Sequence, residues 1–243
     1  MQTLLNTPHE IIQQNILGAA AKAKTRILNI LVLGMMAGSF IAMGAQSSSL
    51  AVHNISNIGL ARTLAGCIFP VGLMMIVFVG GELFTGDCMM SMAWMQRKIH
   101  FADMLRTLVL VYVSNFVGAA LIAFLVAHSG QYDYSSGALG AYTIKVAYGK
   151  VHLSFANALI SGILCNILVC VAVLMAAAAK DIAGKVLAIF FPILAFVVSG
   201  FEHCVANMYY IPAGIFASKN AAYAAKALEL YNIDSTQLSS LNW

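Results

Sequence analysis

Charged side chains are scarce in this sequence. Of its 243 residues only 9% are Asp, Glu, Lys or Arg, where a water-soluble domain usually carries about 25%. So few polar groups cannot cover a hydrated surface, which argues against a soluble enzyme. The basic residues are thin as well. The 13 Lys and Arg, set against 9 Asp and Glu, are dispersed between apolar runs and form no patch, so the chain has no nucleic-acid footprint. The five cysteines, Cys67, Cys88, Cys165, Cys170 and Cys204, lie in or beside apolar runs. An odd, embedded set of this kind is no disulfide framework. The first 24 residues are polar and lack the apolar core of a cleavable secretory signal, so the first spanning helix is expected to serve as its own insertion signal.

What the chain has in excess is apolar length. Hydrophobic residues make up 61% of it, and the mean hydropathy is +0.86. An all-α polytopic membrane protein follows, read as a single transmembrane domain over residues 1–243. A spanning helix needs about 20 apolar residues. Clear candidates are 27–45, 63–80, 104–127 and 155–179, and a fifth run, 186–217, is too long for one straight crossing. The second run also fails to stop cleanly and resumes over 88–95. Ahead of the spans, residues 8–24 carry Ile11, Ile12, Leu17 and Ala20 at helical spacing, as in a short amphipathic helix lying on the membrane surface. Residues 1–26 are read as a cytoplasmic segment, 27–128 as a first half of three helices, and 150–243 as a second, incomplete half. The Gly-, Ser- and Tyr-rich stretch 129–150 reads as an exposed loop.

Orientation follows from the short connections. Lys22, Lys24 and Arg26 precede the first span, Arg97, Lys98 and Arg106 separate the second from the third, and Lys180 and Lys185 separate the fourth from the fifth. The alternate loops are poorer, with Arg62 in one and Lys145 and Lys150 in the other. Positive-inside counting therefore places the N-terminus in the cytoplasm, with the chain in the cell inner (cytoplasmic) membrane.

Two interruptions occupy matching places. Gly80-Gly81-Glu82 is followed by Thr85-Gly86-Asp87, and Ser199-Gly200-Phe201-Glu202 by His203 through Asn207. Each falls in the second helix of its half, and an odd number of spans per half inverts the halves in the membrane. Gly-interrupted segments at corresponding positions point to a transport site. A break at bilayer depth frees backbone groups that lipid cannot satisfy, so it is tolerated only where it lines a cavity. Half-helix N-termini aimed there offer partial positive charge to an anion.

Ionisable residues within spans are functional candidates by default. His203 is the histidine deepest in an apolar run and the first candidate for a pore contact. Glu82 and Glu202 are expected to support the breaks, with Gly81, Gly86 and Gly200, by accepting hydrogen bonds from freed backbone N–H groups. Thr85 is either a hinge cap or a pore contact, and Asn166 either caps a neighbouring break or faces the pore. Cys165, Cys170, Cys204 and His203 match no metal-ligand spacing, and one central histidine does not supply a pair of facing haem ligands. Neither a metal nor any other cofactor is expected.

The segments Gly81-Glu82-Leu83-Phe84-Thr85-Gly86, Cys165-Asn166-Ile167-Leu168-Val169-Cys170 and Gly200-Phe201-Glu202-His203-Cys204-Val205-Ala206-Asn207-Met208, with Leu33-Gly34-Met35-Met36-Ala37-Gly38, resemble the formate/nitrite transporter family. The resemblance runs over nearly the whole chain. It implies a homopentamer of aquaporin-like protomers with an inverted repeat, each protomer a channel for small monovalent weak-acid anions, formate first, with nitrite or hydrosulfide (HS⁻) as alternatives. It further implies that His203 is the central pore histidine and that Thr85 and Asn166 are its polar neighbours. Leu73, Leu83 and Phe84 would then form a cytoplasmic constriction and Phe69 and Phe196 an outer one, with Lys150 at the outer vestibule. A co-transported proton is part of the same expectation, since a histidine between two apolar rings can hydrogen-bond or protonate the anion. The family closes with a sixth span carrying a Pro-Val-Thr-x-Gly-Asn type motif, and no further apolar run follows residue 217, so the natural chain is expected to continue beyond Trp243. An aquaporin-like pore for neutral solutes is the competing reading, although Pro70, Pro192 and Pro212 do not lie in paired Asn-Pro-Ala motifs. The anchor subunit of a redox enzyme is a third.

Overall fold

The computed structural model describes residues 5–242. It is helical throughout: α1 (Pro8–Lys22), α2 (Ile27–Val52), α3 (Ile58–Ile68), α4 (Val71–Val79), α5 (Phe84–Asp87), α6 (Met90–Met95), α7 (Phe101–Ala127), α8 (Ala138–Val151), α9 (Phe155–Ala178), α10 (Ile182–Ser199), α11 (Cys204–Ser218), α12 (Ala221–Tyr231) and α13 (Ser235–Leu238). Among the described residues, five helices are long and apolar enough to cross a membrane: α2, the continuous pair α3–α4, α7, α9 and α10. Pro70, at the junction of α3 and α4, has no N–H to donate, and the two helices still run on as one span of 22 residues.

The frame of the first half is the crossing of α2 on α7, and small residues set its closeness. A Cβ added at Gly118 of α7 would stand 2.0 Å from the Met35 carbonyl oxygen. Backbone therefore meets backbone, as in membrane helix pairs built on small residues. The first half then runs α4, break, α5, α6, α7. The second half repeats the plan as α9, α10, break, α11.

One expectation needs revision. Residues 129–150 form no simple exposed loop: a 3₁₀ turn over Gln131–Asp133 leads into α8. In α8, Leu139, Ile144 and Ala147 are fully buried, in a cluster with Ile215 and Tyr223. Tyr223 donates to Asp133 at 2.6 Å. The glycines and tyrosines that made this stretch look loop-like allow close packing of α8 on α11 and α12. Residues 222–240, although polar, fold into α12 and α13. The helix α1 exists, its start is fixed by a reciprocal capping box between Thr7 and Glu10, and one face of it docks on protein. Ile16 and Ala19 are buried with Met90 and Ala93 of α6. Ahead of it, the Asn6 amide N–H reaches the Ala178 carbonyl at 2.9 Å and its side chain the Ala177 carbonyl at 2.8 Å, occupying acceptors that the C-terminus of α9 leaves without a helical partner.

Gly118→Ala is expected to push α2 and α7 apart. The cost is roughly 1–3 kcal/mol of overpacking, read as a lower thermal midpoint of the detergent-purified protein.

Candidate functional site

Both interruptions turn on glycine. Gly80 adopts φ +103 and Gly200 φ +71, a region costly for side chains with a Cβ. In the first break this residue is Gly80, not Gly81 or Gly86. Gly81 is constrained by space, since a Cβ there would approach Ala37 to 3.2 Å, whereas one at Gly86 would meet nothing nearer than Val173 at 4.0 Å.

The freed backbone finds partners, but not the glutamates. Asn115, fully buried in mid-α7, donates from Nδ2 to the carbonyls of Glu82 and Gly34, both at 2.8 Å, and its Oδ1 accepts from the Phe84 N–H at 3.0 Å. The Glu82 N–H reaches the Leu33 carbonyl of α2 at 3.1 Å. In the other half the Glu202 N–H reaches the Ser161 hydroxyl of α9 at 2.9 Å, so the first helix of each half braces the break of its own half.

The glutamate side chains are instead held by lysines. Lys150 places Nζ 2.8 Å from both carboxylate oxygens of Glu202, and Asn207 donates to the same carboxylate at 2.9 Å. Lys22, at the end of α1, pairs with Glu82 and with Asp87. The two clusters correspond: each has a lysine from the helix preceding its half, a glutamate at the break, and a polar partner five positions later, Asp87 or Asn207. Burial works against the Lys22 ammonium, but Asp87 and Glu82 outweigh it and lift its pKa above the usual lysine range.

Between the clusters lies His203. It is 4% exposed and is the N-cap of α11, its Nδ1 accepting from the Ala206 N–H at 3.0 Å. A ring nitrogen that accepts carries no proton, which assigns the proton of the neutral ring to Nε2. Nε2 lies 3.2 Å from the Thr85 hydroxyl, so the two breaks meet here. Phe196 stacks on the imidazole at 5.8 Å and meets Phe69 edge-on at 5.4 Å.

A cavity opens on each side of this buried centre. The one beside α1 holds about 390 Å³ and is bordered by Lys22, Leu73, Leu83 and Asp87. The opposite one holds about 120 Å³ and is bordered by Phe69, Phe196, Lys150, His203 and Asn207. Leu73, Leu83, Phe69 and Phe196 are all buried. Phe84 packs, partly buried, against the core that holds Leu73 and Leu83, its ring 5.0 Å from Tyr112 of α7. Asn166 borders a third space, a groove along α9 that it shares with Phe84, Thr85, Cys88, Cys170 and Cys204, rather than either of the two cavities.

Two participants escaped the sequence reading. Lys22 was counted only for orientation, and Asn115 was passed over although, like Asn166, it is a polar residue in mid-span. The spacing of Gly34, Gly38 and Gly118 around it was the available signal.

Two half-spanning breaks in inverted halves, meeting at a buried polar contact between two cavities, define a membrane pore protein. The Formate/nitrite transporter family matches residues 9–234, and the chain belongs to it. The members named below are channels and transporters rather than enzymes, and this chain is an integral membrane protein. It is 40% identical over 213 residues to the uncharacterized transporter YrhG of Bacillus subtilis, covering 86% of this chain and 80% of the relative. It is 39% identical to the formate channel BtFdhC of Bacillus thuringiensis, over 86% and 82% of the two chains, and 34% identical to the formate channel FocA of Escherichia coli, over 80% and 69%. Among solved structures, a pentameric formate channel with formate bound superposes with a TM-score of 0.77 at 29% identity, covering 89% of this chain and 85% of that one. An ion channel of the same family gives 0.78 at 26%, covering 96% and 94%.

Asn115→Leu removes the partner of one carbonyl and one N–H of the first break, at Glu82 and Phe84, and the tie to the Gly34 carbonyl of α2. The expected outcome is a loss of about 2–4 kcal/mol, seen as a lower melting temperature together with lost anion flux.

Proposed function

We propose that this protein is a homopentameric channel for formate and related small monovalent anions, in the inner membrane with its N-terminus cytoplasmic, and that His203 and Thr85 form its central contact. The observation that carries the reading is the placement of the His203–Thr85 pair between two lysine-bearing cavities and behind buried apolar side chains on either side. The pentamer and the substrate come from the relatives: a formate channel of known structure is a pentamer, and several relatives are named formate channels.

The geometry suits an anion. A bare charge in an apolar medium costs tens of kcal/mol, so Phe69 and Phe196 on one side and Leu73 and Leu83 on the other oppose its passage. Lys22 and Lys150 stand at the two approaches but are paired with carboxylates there, so the favourable contact for the ion is at the centre. At the centre the ion meets hydrogen-bond donors: the Nε2–H of His203 and, when that N–H is given to the anion, the hydroxyl of Thr85. Because Nδ1 is occupied by the Ala206 N–H, a second proton can enter the ring only by giving up the α11 cap. The ring therefore acts foremost as a hydrogen-bond donor, and the proton that accompanies a weak acid is carried on the substrate itself.

Light scattering of proteoliposomes at two pH values, challenged with sodium formate, nitrite, hydrosulfide, chloride and glycerol, tests this. Formate is expected to re-swell the vesicles and glycerol to leave them shrunken. Glycerol permeation without anion flux would instead establish a neutral-solute pore. His203→Asn, which keeps an acceptor for the cap and an N–H donor, is expected to retain formate flux within about tenfold, one hydrogen bond's worth. His203→Leu is expected to lose it. Equal flux through both variants would remove the donor role.

A further inference from the structure

We propose that a pocket at the membrane-interface ends of α2 and α3, on the face opposite α1, binds the headgroup of an anionic phospholipid. It encloses about 550 Å³, and its polar wall is basic: Arg62, Lys145 and His53 line it and no Asp or Glu does. It shares no residue with the cavity at His203.

The two strong cations, both exposed, are open to an anion. Lys22 and Lys150 each meet a carboxylate, whereas the Lys145 ammonium lies 4.5 Å from the centre of the Tyr231 ring and 5.8 Å from that of Tyr142. It makes no ion pair among the described residues. Arg62 gives one N–H to the Val198 carbonyl at 3.3 Å, and the rest of its guanidinium has no protein acceptor among the described residues. The first turn of α3 also opens here: Ile58 borders the pocket, and Asn57 caps the Leu60 N–H at 2.9 Å. A guanidinium, an ammonium and a helix N-terminus converging without a carboxylate are the recognition set for a phosphate.

The apolar part of the wall identifies the rest of the ligand. The volume exceeds what a bare phosphate fills, and Ile58, 72% exposed, and Leu230, 43% exposed, lead from the basic wall outward along apolar surface. A phosphate at the interface with an acyl chain running beside α3 meets both demands, as in other basic pockets at membrane-helix ends. The site also touches the second break. Arg62 reaches the last turn of α10, and its Nη1 stands 2.7 Å from where a Cβ at Gly200 would lie, so a headgroup bound to the guanidinium steadies the turn that delivers His203.

Native mass spectrometry of the purified oligomer, with dioleoyl phosphatidylglycerol, dioleoyl phosphatidylcholine and glycerol 1-phosphate added in separate experiments, tests the assignment. Phosphatidylglycerol is expected to remain bound at up to one molecule per chain under activation that strips phosphatidylcholine. Arg62→Gln combined with Lys145→Gln is expected to weaken its retention about 30-fold, at roughly fivefold per basic residue, while Arg62→Lys with Lys145→Arg retains it. Equal retention of the two lipids by the unaltered protein, or undiminished retention by the glutamine pair, overturns the proposal. Glycerol 1-phosphate displacing phosphatidylglycerol assigns the pocket to a soluble phosphate and overturns the lipid assignment. The comparison of probes on the unaltered protein needs no variant, so poor folding of the glutamine pair cannot hide the answer. The readout is binding rather than flux, which keeps this test separate from that of the anion pore.

Discussion

Two helices stop in mid-membrane, and the backbone they expose has to be satisfied by protein, because lipid offers nothing in return. Much of the structure follows from that requirement. Asn115 is buried at the centre of α7 because two backbone groups of the first break need it there, and it ties them to a carbonyl of α2. The close crossing of α2 on α7 at Gly118 brings Asn115 within reach of Gly34 and Glu82 at once. In the second half the same need is met by Ser161 and by the ring of His203, which caps α11 from within its own chain segment. A histidine placed as a cap is held in one orientation and one tautomer, and that fixity lets it meet Thr85 of the other break.

The lysine clusters are a second tier of the same arrangement. Glu82 and Glu202 do not serve the backbone, so their charges have to be balanced elsewhere. The balancing cations come from outside the spans, Lys22 from the end of α1 and Lys150 from the end of α8. Each break is thereby tied to a peripheral helix. This gives α1 and α8 a structural role beyond packing.

The sequence made the architecture legible where apolar length and glycine placement carry the information. The spans, the two breaks and the inverted plan follow from runs of residues too long, or too interrupted, to be anything else. Thr85 and His203 stood out in the sequence because a polar residue beside a break has few bland explanations, and the structure brings the two into contact. What was not legible depends on approach in three dimensions. Gly80 and Gly81 are adjacent and chemically identical, and only the path of the chain decides which one takes positive φ. Glutamate at a hinge fits a backbone acceptor as well as a lysine partner, and the choice rests on where α1 and α8 dock. The segment over residues 129–150 looked like a loop because its small and aromatic residues serve helix packing at the mouth, where hydropathy is a poor guide.

The hydrogen bonds at the centre also have a direction. The Ala206 amide gives its proton to Nδ1, Nε2 gives its own to Thr85, and the threonine hydroxyl is left with a proton to pass on. Read end to end, the chain starts at a backbone amide that can only donate, so every member hands a proton the same way and the last must find an acceptor. An ammonium ion, which brings protons of its own, arrives at a line already full of them. On the proposed reading, the pore tells the sign of an ion at its centre without a formal charge there, by the polarity of one fixed file of hydrogen bonds.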